Sequence, residues 1–309
     1  MKRFVVVYQF GKVASTSIVA SMNELPDVFA KQSHFLGQDA LSTIVPAIVS
    51  AETSPYFFKH QFGQFVSNTH ITRRINLIRA GKLDERLLIL SLTRRPLDWA
   101  RSSIVQDLRG YLPVLRNYCR AFDIRSGNDG DMVCSALTHL IGCGGEILAA
   151  RGGIDAALAI PTDRLFHGSA LAPHREAQQL LKVILRPCNW FENHYEPALG
   201  MHPRRFEKSG YGLFLKTKTA DFANIRFEDI ATALPDMARD LGLADDFQLK
   251  RHENASATKL FADDVARAFA SPAATAMASL LSATDYARLF GYTEADQSRT
   301  GSEHHRIPA

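Results

Sequence analysis

The sequence predicts an α/β protein with a parallel sheet covered by helices on both faces. Residues 4–9 (FVVVYQ) and 86–93 (RLLILSLT) are near-continuous apolar runs without alternation, the pattern of strands buried on both sides. Each run leads at once into a short polar loop and then a helical stretch, and that alternation is the signature of βα units around a parallel sheet. With 46% hydrophobic and 22% charged residues, the 309-residue chain has an ordinary globular mixture and can fill a sizeable core.

In chain order, residues 4–9 form the first strand. Gly11, Lys12, Val13, Ala14, Ser15, Thr16 and Ser17 form a loop, and 18–22 reads as helix. Residues 28–33 suit a second short strand ending at His34. Residues 40–50 and 71–80 are helical, the latter stopped by Gly81. After the strand at 86–93, Arg94-Arg95-Pro96 ends the run, and 97–108 is a helix with Pro96 near its first turn. Residues 120–175 hold a polar turn at 126–130, an apolar helix near 132–140, and Gly142, Gly144 and Gly145. These glycines are expected to lie in a loop; no strand precedes them at the spacing of a dinucleotide-binding motif. Residues 174–184 are a helix stopped by Pro187, 210–219 a hairpin strand, 223–227 a short strand, and 259–270 and 273–281 alanine-rich helices. The polar tail from 296 is expected to be disordered. The chain reads as one domain over 1–295, with 120–175 as a helical insertion.

The net charge is +4, from 36 basic and 32 acidic residues. That is far from the basic stripe of a nucleic-acid binder and compatible with a small anionic ligand. Cys119, Cys134, Cys143 and Cys188 form no C-x-x-C pair and read as free thiols in a reducing compartment. Met1-Lys2-Arg3 is followed by an apolar run too short for a signal peptide, and no span of about 18 apolar residues is expected, so the prediction is a cytoplasmic protein without a membrane segment. No H-E-x-x-H or H-x-x-E-H spacing occurs, so no metal is implied.

A phosphate group needs backbone N–H donors at a helix N-terminus, small residues that let it approach, and a cation. The stretch from Gly11 to Ser17 (GKVASTS) offers all three. It is not a Walker A loop: Val6 stands where that motif needs its first glycine, and Val13, not a hydroxyl residue, follows Lys12. Lysine first and hydroxyls after is the order that resembles the 5′-phosphosulfate loop of sulfotransferases, P-K-x-G-[ST]-[ST], with Gly11 for the usual Pro and Ala14 for the usual Gly. Read alone, the stretch also fits a plain strand–turn–helix with a surface lysine. Arg94, Pro96 and Ser102 fall at the spacing of the second signature of that class, R-[DN]-P-x-x-x-x-x-S, with Arg95 at the Asp or Asn position. A guanidinium grips phosphate bidentately and a hydroxyl donates beside it; solvated arginines at a strand end are the alternative.

With both loops in place, the chain resembles the bacterial proteins described as capsular polysaccharide synthesis proteins, which belong with the sulfotransferases that use 3′-phosphoadenosine 5′-phosphosulfate (PAPS). Ser33-His34-Phe35-Leu36, Asn189-Trp190-Phe191-Glu192-Asn193, Phe206-Glu207-Lys208-Ser209-Gly210-Tyr211 and Ile225-Arg226-Phe227-Glu228-Asp229-Ile230 carry the likeness further, over residues 4 to about 230. The resemblance implies a P-loop NTPase-like parallel sheet flanked by helices and transfer of a sulfuryl group from PAPS to a carbohydrate hydroxyl. It assigns Gly11–Ser17 to the 5′-phosphosulfate, Arg94 and Ser102 to the 3′-phosphate, and Lys12 to the leaving oxygen.

His34, just past the second strand, is the candidate general base, since imidazole titrates near neutrality; a structural role is the alternative, and His60 is the second candidate. Trp190 and Phe191 read as core more than as a sugar platform. Arg226, Glu228 and Asp229 read as structural, an ion pair at a strand end and a helix N-cap. Asn254 and Lys259 lie in a stretch that could close over a nucleotide. Two other functions remain open: an ATP-dependent kinase on a similar fold, and a non-catalytic sulfotransferase-like binding protein in polysaccharide synthesis.

Overall fold

Strand β1 (Arg3–Tyr8) opens the chain, followed by α1 (Ser15–Met22), β2 (Val28–Ser33), α2 (Gly37–Val49), α3 (Pro55–Arg79), β3 (Arg86–Thr93), α4 (Pro96–Ala121), α5 (Asp129–Ala150), α6 (Ile154–Leu158), α7 (Thr162–Leu165) and α8 (Arg175–Trp190). A π-helical turn (Phe191–Tyr195) leads to α9 (Glu196–Leu199), then β4 (Glu207–Ser209), β5 (Gly212–Lys216), β6 (Ala220–Arg226), α10 (Ile230–Asp240), α11 (Ala262–Phe269), α12 (Pro272–Ser282) and α13 (Asp285–Phe290). This computed structural model describes residues 2–11, 13–49, 55–250 and 259–292. The predicted tail from 296, and Asn254, lie outside the described residues. The chain forms two compact units: Met1–Arg94 with Trp190–His252, and Arg95–Asn189 with Glu253–Ala309.

The first unit is α/β. Its six-stranded open sheet has the order β2-β1-β3-β6-β5-β4. The first four of these pair in parallel, Val5 facing Ala30 on one side and Leu88 on the other, and Leu92 facing Ile225. The sheet is mixed where the sequence suggested a parallel one, because β4 and β5 run antiparallel. The reason is connection length. Two residues join β4 to β5 and three join β5 to β6, and such short links close only antiparallel pairs. The two apolar strands foreseen from sequence, β1 and β3, sit side by side inside the sheet, with Val5, Val6, Val7, Leu87, Leu88, Ile89 and Leu90 all fully buried.

Charge closes the amino edge of this sheet. Asp221, at the start of β6, is 1% exposed. It accepts from Arg3 Nη1 at 2.9 Å and from Arg86 Nε at 2.7 Å. Arg3 also donates to the Leu241 carbonyl, and Arg86 to those of Thr217 and Lys218. Burial alone would raise the Asp221 pKa; the bonds from Arg86 and Arg3 outweigh it and hold the carboxyl below the usual carboxylate range.

The second unit is helical among its described residues. Two expectations fail here. Gly142, Gly144 and Gly145 are not in a loop but inside α5, where a Cβ on Gly144 would overlap the Leu181 side chain of α8. Close helix packing, not a turn, accounts for that glycine. Pro187 does not stop α8, which runs on to Trp190 before widening into the π-helical turn. The helix absorbs the missing donor for most of a turn because its apolar face is buried through Leu180, Leu181, Ile184 and Leu185. By length and composition α5 could cross a membrane, with a mean hydropathy of 1.4 over 18 residues. It packs against α4, α11 and α12, and Val133, Ala136, Leu137, Leu140 and Ile141 line its buried face.

Candidate anion site at the carboxyl edge of the sheet

From β1 the chain steps to β2 on one side and then returns across β1 to β3 on the other. The loops after β1 and β3 therefore leave neighbouring parallel strands in diverging directions. In open α/β sheets, ligands bind at such a switch point, outside the carboxyl ends of the strands. The Ser91 hydroxyl of β3 donates to the Tyr8 carbonyl of β1 at 2.6 Å and ties the two strand ends together.

The first loop is shaped by backbone. Gln9 extends the β1–β2 ladder by one residue, its N–H reaching the Ser33 carbonyl at 3.3 Å. Gly11 has φ 90°, a value closed to the proline usual in the resembling motif and unfavourable for any side chain. Lys12 lies outside the described residues. Val13 is fully buried, so what it offers a ligand is its backbone. Ala14 is left-handed, at φ 59° and ψ 22°, where the related motif carries glycine. Helix α1 starts at the next residue, one turn earlier than expected, so Ser15, Thr16 and Ser17 are its first turn. The first backbone bond into the helix is Ile18 N–H to the Ala14 carbonyl, and no side chain caps α1. The N–H groups ahead of Ile18 thus have no intrahelical acceptor, and they carry the positive end of the helix dipole. Ser15 and Ser17 are buried and Thr16 is exposed.

His34 stands against this loop. Its Cε1 would lie 3.8 Å from a Cβ built on Gly11, and its Nδ1 is 3.0 Å from the Gln9 carbonyl. A carbonyl can only accept, so Nδ1 carries a proton, and in the neutral ring the lone pair is on Nε2. The turn that holds the ring is fixed by the Phe35 N–H donating to Ser33 Oγ at 3.2 Å. His34 is half-buried. The side chain of His60 lies outside the described residues.

Arg94 follows β3 directly, and its guanidinium covers the Phe227 ring just past β6, 4.6 Å from the centroid. Stacking of this kind orients a guanidinium. Arg95 pairs with Asp98 at 3.7 Å, in the first turn of α4. Ser102 lies half-buried in the second turn of α4, in the second unit. Lys259 precedes α11 in that unit.

Trp190 and Phe191 are core, each 2% exposed, with Trp190 packed on Tyr8 and Phe10. Arg226 and Asp229 pair at 3.5 Å, as expected; Asp229 occupies the N-cap position of α10 but makes no capping bond, because its carboxylate faces Arg226 instead. Among the described residues no three His, Cys, Asp or Glu side chains converge as a metal site would require. Sequence reasoning missed Gln9, Ser91 and Phe227. A lone amide closing an otherwise apolar strand was the visible signal for the first. The other two become legible only once β1, β3 and β6 are known to be neighbours.

Comparison with known protein families, with characterised proteins and with solved structures gives no match to this chain.

Proposed function

We propose that the chain is a sulfotransferase that moves a sulfuryl group from PAPS to a hydroxyl of a carbohydrate acceptor. The observation that carries this reading is the placement of the two signature loops: Gly11–Ser17 and Arg94 leave adjacent parallel strands at one edge, with His34 beside the first loop. The uncapped start of α1 would hold the 5′-phosphate. Arg94, stacked on Phe227, would hold the 3′-phosphate. His34 Nε2 would take the proton of the acceptor hydroxyl as its oxygen attacks sulfur, while the bond from sulfur to the 5′-phosphate oxygen breaks and its electron pair leaves on that oxygen. Lys12 is the cation assigned to that oxygen; a preorganised charge at a developing anion is commonly the largest catalytic term. The fold that goes with this reading is the P-loop NTPase-like sheet of sulfotransferases. It is supported by the parallel β2-β1-β3-β6 core and the β1–loop–α1 unit.

The test is transfer of labelled sulfate from PAPS to carbohydrate hydroxyls, with binding of adenosine 3′,5′-bisphosphate and of ATP measured alongside. Transfer, with the bisphosphate preferred over ATP, is the expected result. ATP binding with phosphoryl transfer would make the chain a kinase. Tight bisphosphate binding without turnover on any acceptor would make it a binding protein.

A further inference from the structure

Gln9 joins the candidate base to the first loop, and it does so with its side-chain amino group to spare. It is fully buried. Its carbonyl accepts from His34 Nδ1, and its side-chain Oε1 accepts from the Gly11 N–H. The amide cannot be turned over, because that would face its amino group with the Gly11 donor. Nε2 is therefore the remaining atom, and it is buried without an acceptor among the described residues. Buried polar groups nearly always have a partner, and a lone donor in a dry site is unfavourable.

The surroundings of Nε2 narrow what that partner is. Its amide is anchored on the first residue of the loop, and the loop ends in the uncapped N–H groups of α1, which has no acidic residue in its first turn. A group that meets several donors at once must be an acceptor, and in the field of a helix N-terminus it is favoured to be an anion. We infer that Gln9 Nε2 donates to an oxygen of the tetrahedral oxyanion held by the first loop. Gln9 is then a ligand-binding residue, and the same residue fixes the His34 tautomer through its carbonyl. The ligand's oxyanion and the base are held at a set spacing because one residue contacts both. This rests on the reading of the loop as an anion site, and not on the identity of the transferred group.

The experiment is calorimetry on the full chain with pyrophosphate, adenosine 3′,5′-bisphosphate and PAPS, comparing wild type with Gln9→Glu and Gln9→Met. Glu keeps the acceptor for Gly11 and puts a carboxylate where the donor stood; Met keeps the length and removes the donor. Affinity is expected to fall about tenfold or more in Gln9→Met, and further in Gln9→Glu, the range for a hydrogen bond to a charged group. A loss seen with all three ligands places the contact on phosphate, and a loss confined to PAPS places it on the sulfuryl oxygens. Variants that melt like wild type and bind all three ligands unchanged overturn the inference. Should either variant fail to fold, the wild-type Gln9 side-chain amide resonance decides: it should shift on adding pyrophosphate, and an unmoved resonance under saturation overturns the assignment. Wild type that binds pyrophosphate through Gln9 yet never transfers sulfate overturns the sulfotransferase reading and supports this one. Sulfate transfer that persists with Gln9 variants at wild-type affinity does the reverse. A wild-type chain that binds none of the three overturns both.

Discussion

At the amino edge of the sheet, Asp221 is buried and every charge around it is answered: two arginines converge on one carboxylate and spend their other donors on backbone carbonyls. At the carboxyl edge, Gln9 is buried as deeply, yet its side-chain amino group is left over, and the helix that follows begins on a strained alanine without a cap. The strands between the two edges are the same. A closed, saturated edge resists opening and has nothing to offer a ligand. An edge with surplus donors is less stable by itself and gains when an anion arrives. The contrast separates residues that hold the sheet from residues that use it.

The largest expected effect lies at the open edge. His34→Ala should lower turnover by about 10²–10⁴-fold, the usual contribution of general base catalysis, and barely change nucleotide affinity. Steady-state rates and bisphosphate binding measured together test it. If affinity collapses while the rate per bound nucleotide holds, His34 is a binding residue and its Nε2 is not the base.

At the closed edge, Asp221→Ala should cost about 3–5 kcal/mol of stability in urea unfolding, since two partly buried guanidinium groups lose their counter-ion. The sign of its pH dependence follows from the depressed pKa. The stabilisation is present above the unfolded carboxylate value, about 4, and is lost as pH falls through the lower folded value. The gap between wild type and Asp221→Asn should therefore be wide at neutral pH and narrow in acid. A gap that stays constant into acid would mean that the carboxylate charge is not what closes this edge.

Two further changes sharpen the comparison. On the proposed reading, Lys12→Ala should reduce turnover by about 10²-fold, because it would remove the charge assigned to the leaving oxygen. Near-normal turnover would remove the leaving-group role. Arg94→Ala should weaken adenosine 3′,5′-bisphosphate binding by about 1.5–3 kcal/mol by calorimetry. Unchanged affinity in a folded variant would remove the 3′-phosphate role of Arg94.

Much of this architecture can be read from the sequence because it depends on local patterns. β2 and β3 fall on the foreseen residues and β1 within one of them; for β1 and β3 the signal is an apolar run buried on both sides. What could not be read depends on partners far along the chain. Gly144 looks like a loop residue until Leu181 fills the space beside it. Helix α4 runs through Pro113 to Ala121, well past the expected end at 108, because Leu115, Tyr118 and Cys119 are buried beyond the proline. The first loop and Arg94 were legible as motifs. Gln9 was not, because an amide has no fixed role until its bonds to Gly11 and His34 are drawn.

The smallest predicted effect bears most directly on the difference between the edges. Ala14 sits at φ 59° and ψ 22°, a conformation that costs an L-residue about 1–2 kcal/mol and glycine almost nothing. Glycine would also loosen the unfolded chain, which takes back about 0.4–1 kcal/mol. Ala14→Gly should therefore stabilise the protein by roughly 0.5 kcal/mol in urea unfolding, the net of those two terms. Ala14→Val should destabilise it by more than that, since a β-branched side chain is a genuine outlier in this region. Neither substitution touches the N–H groups of Ser15, Thr16 and Ser17, so the affinity of Ala14→Gly for pyrophosphate should match wild type. If glycine instead lowers that affinity, the strained alanine is holding the start of α1 in place for its ligand. The open edge would then be preorganised by strain as well as by surplus donors.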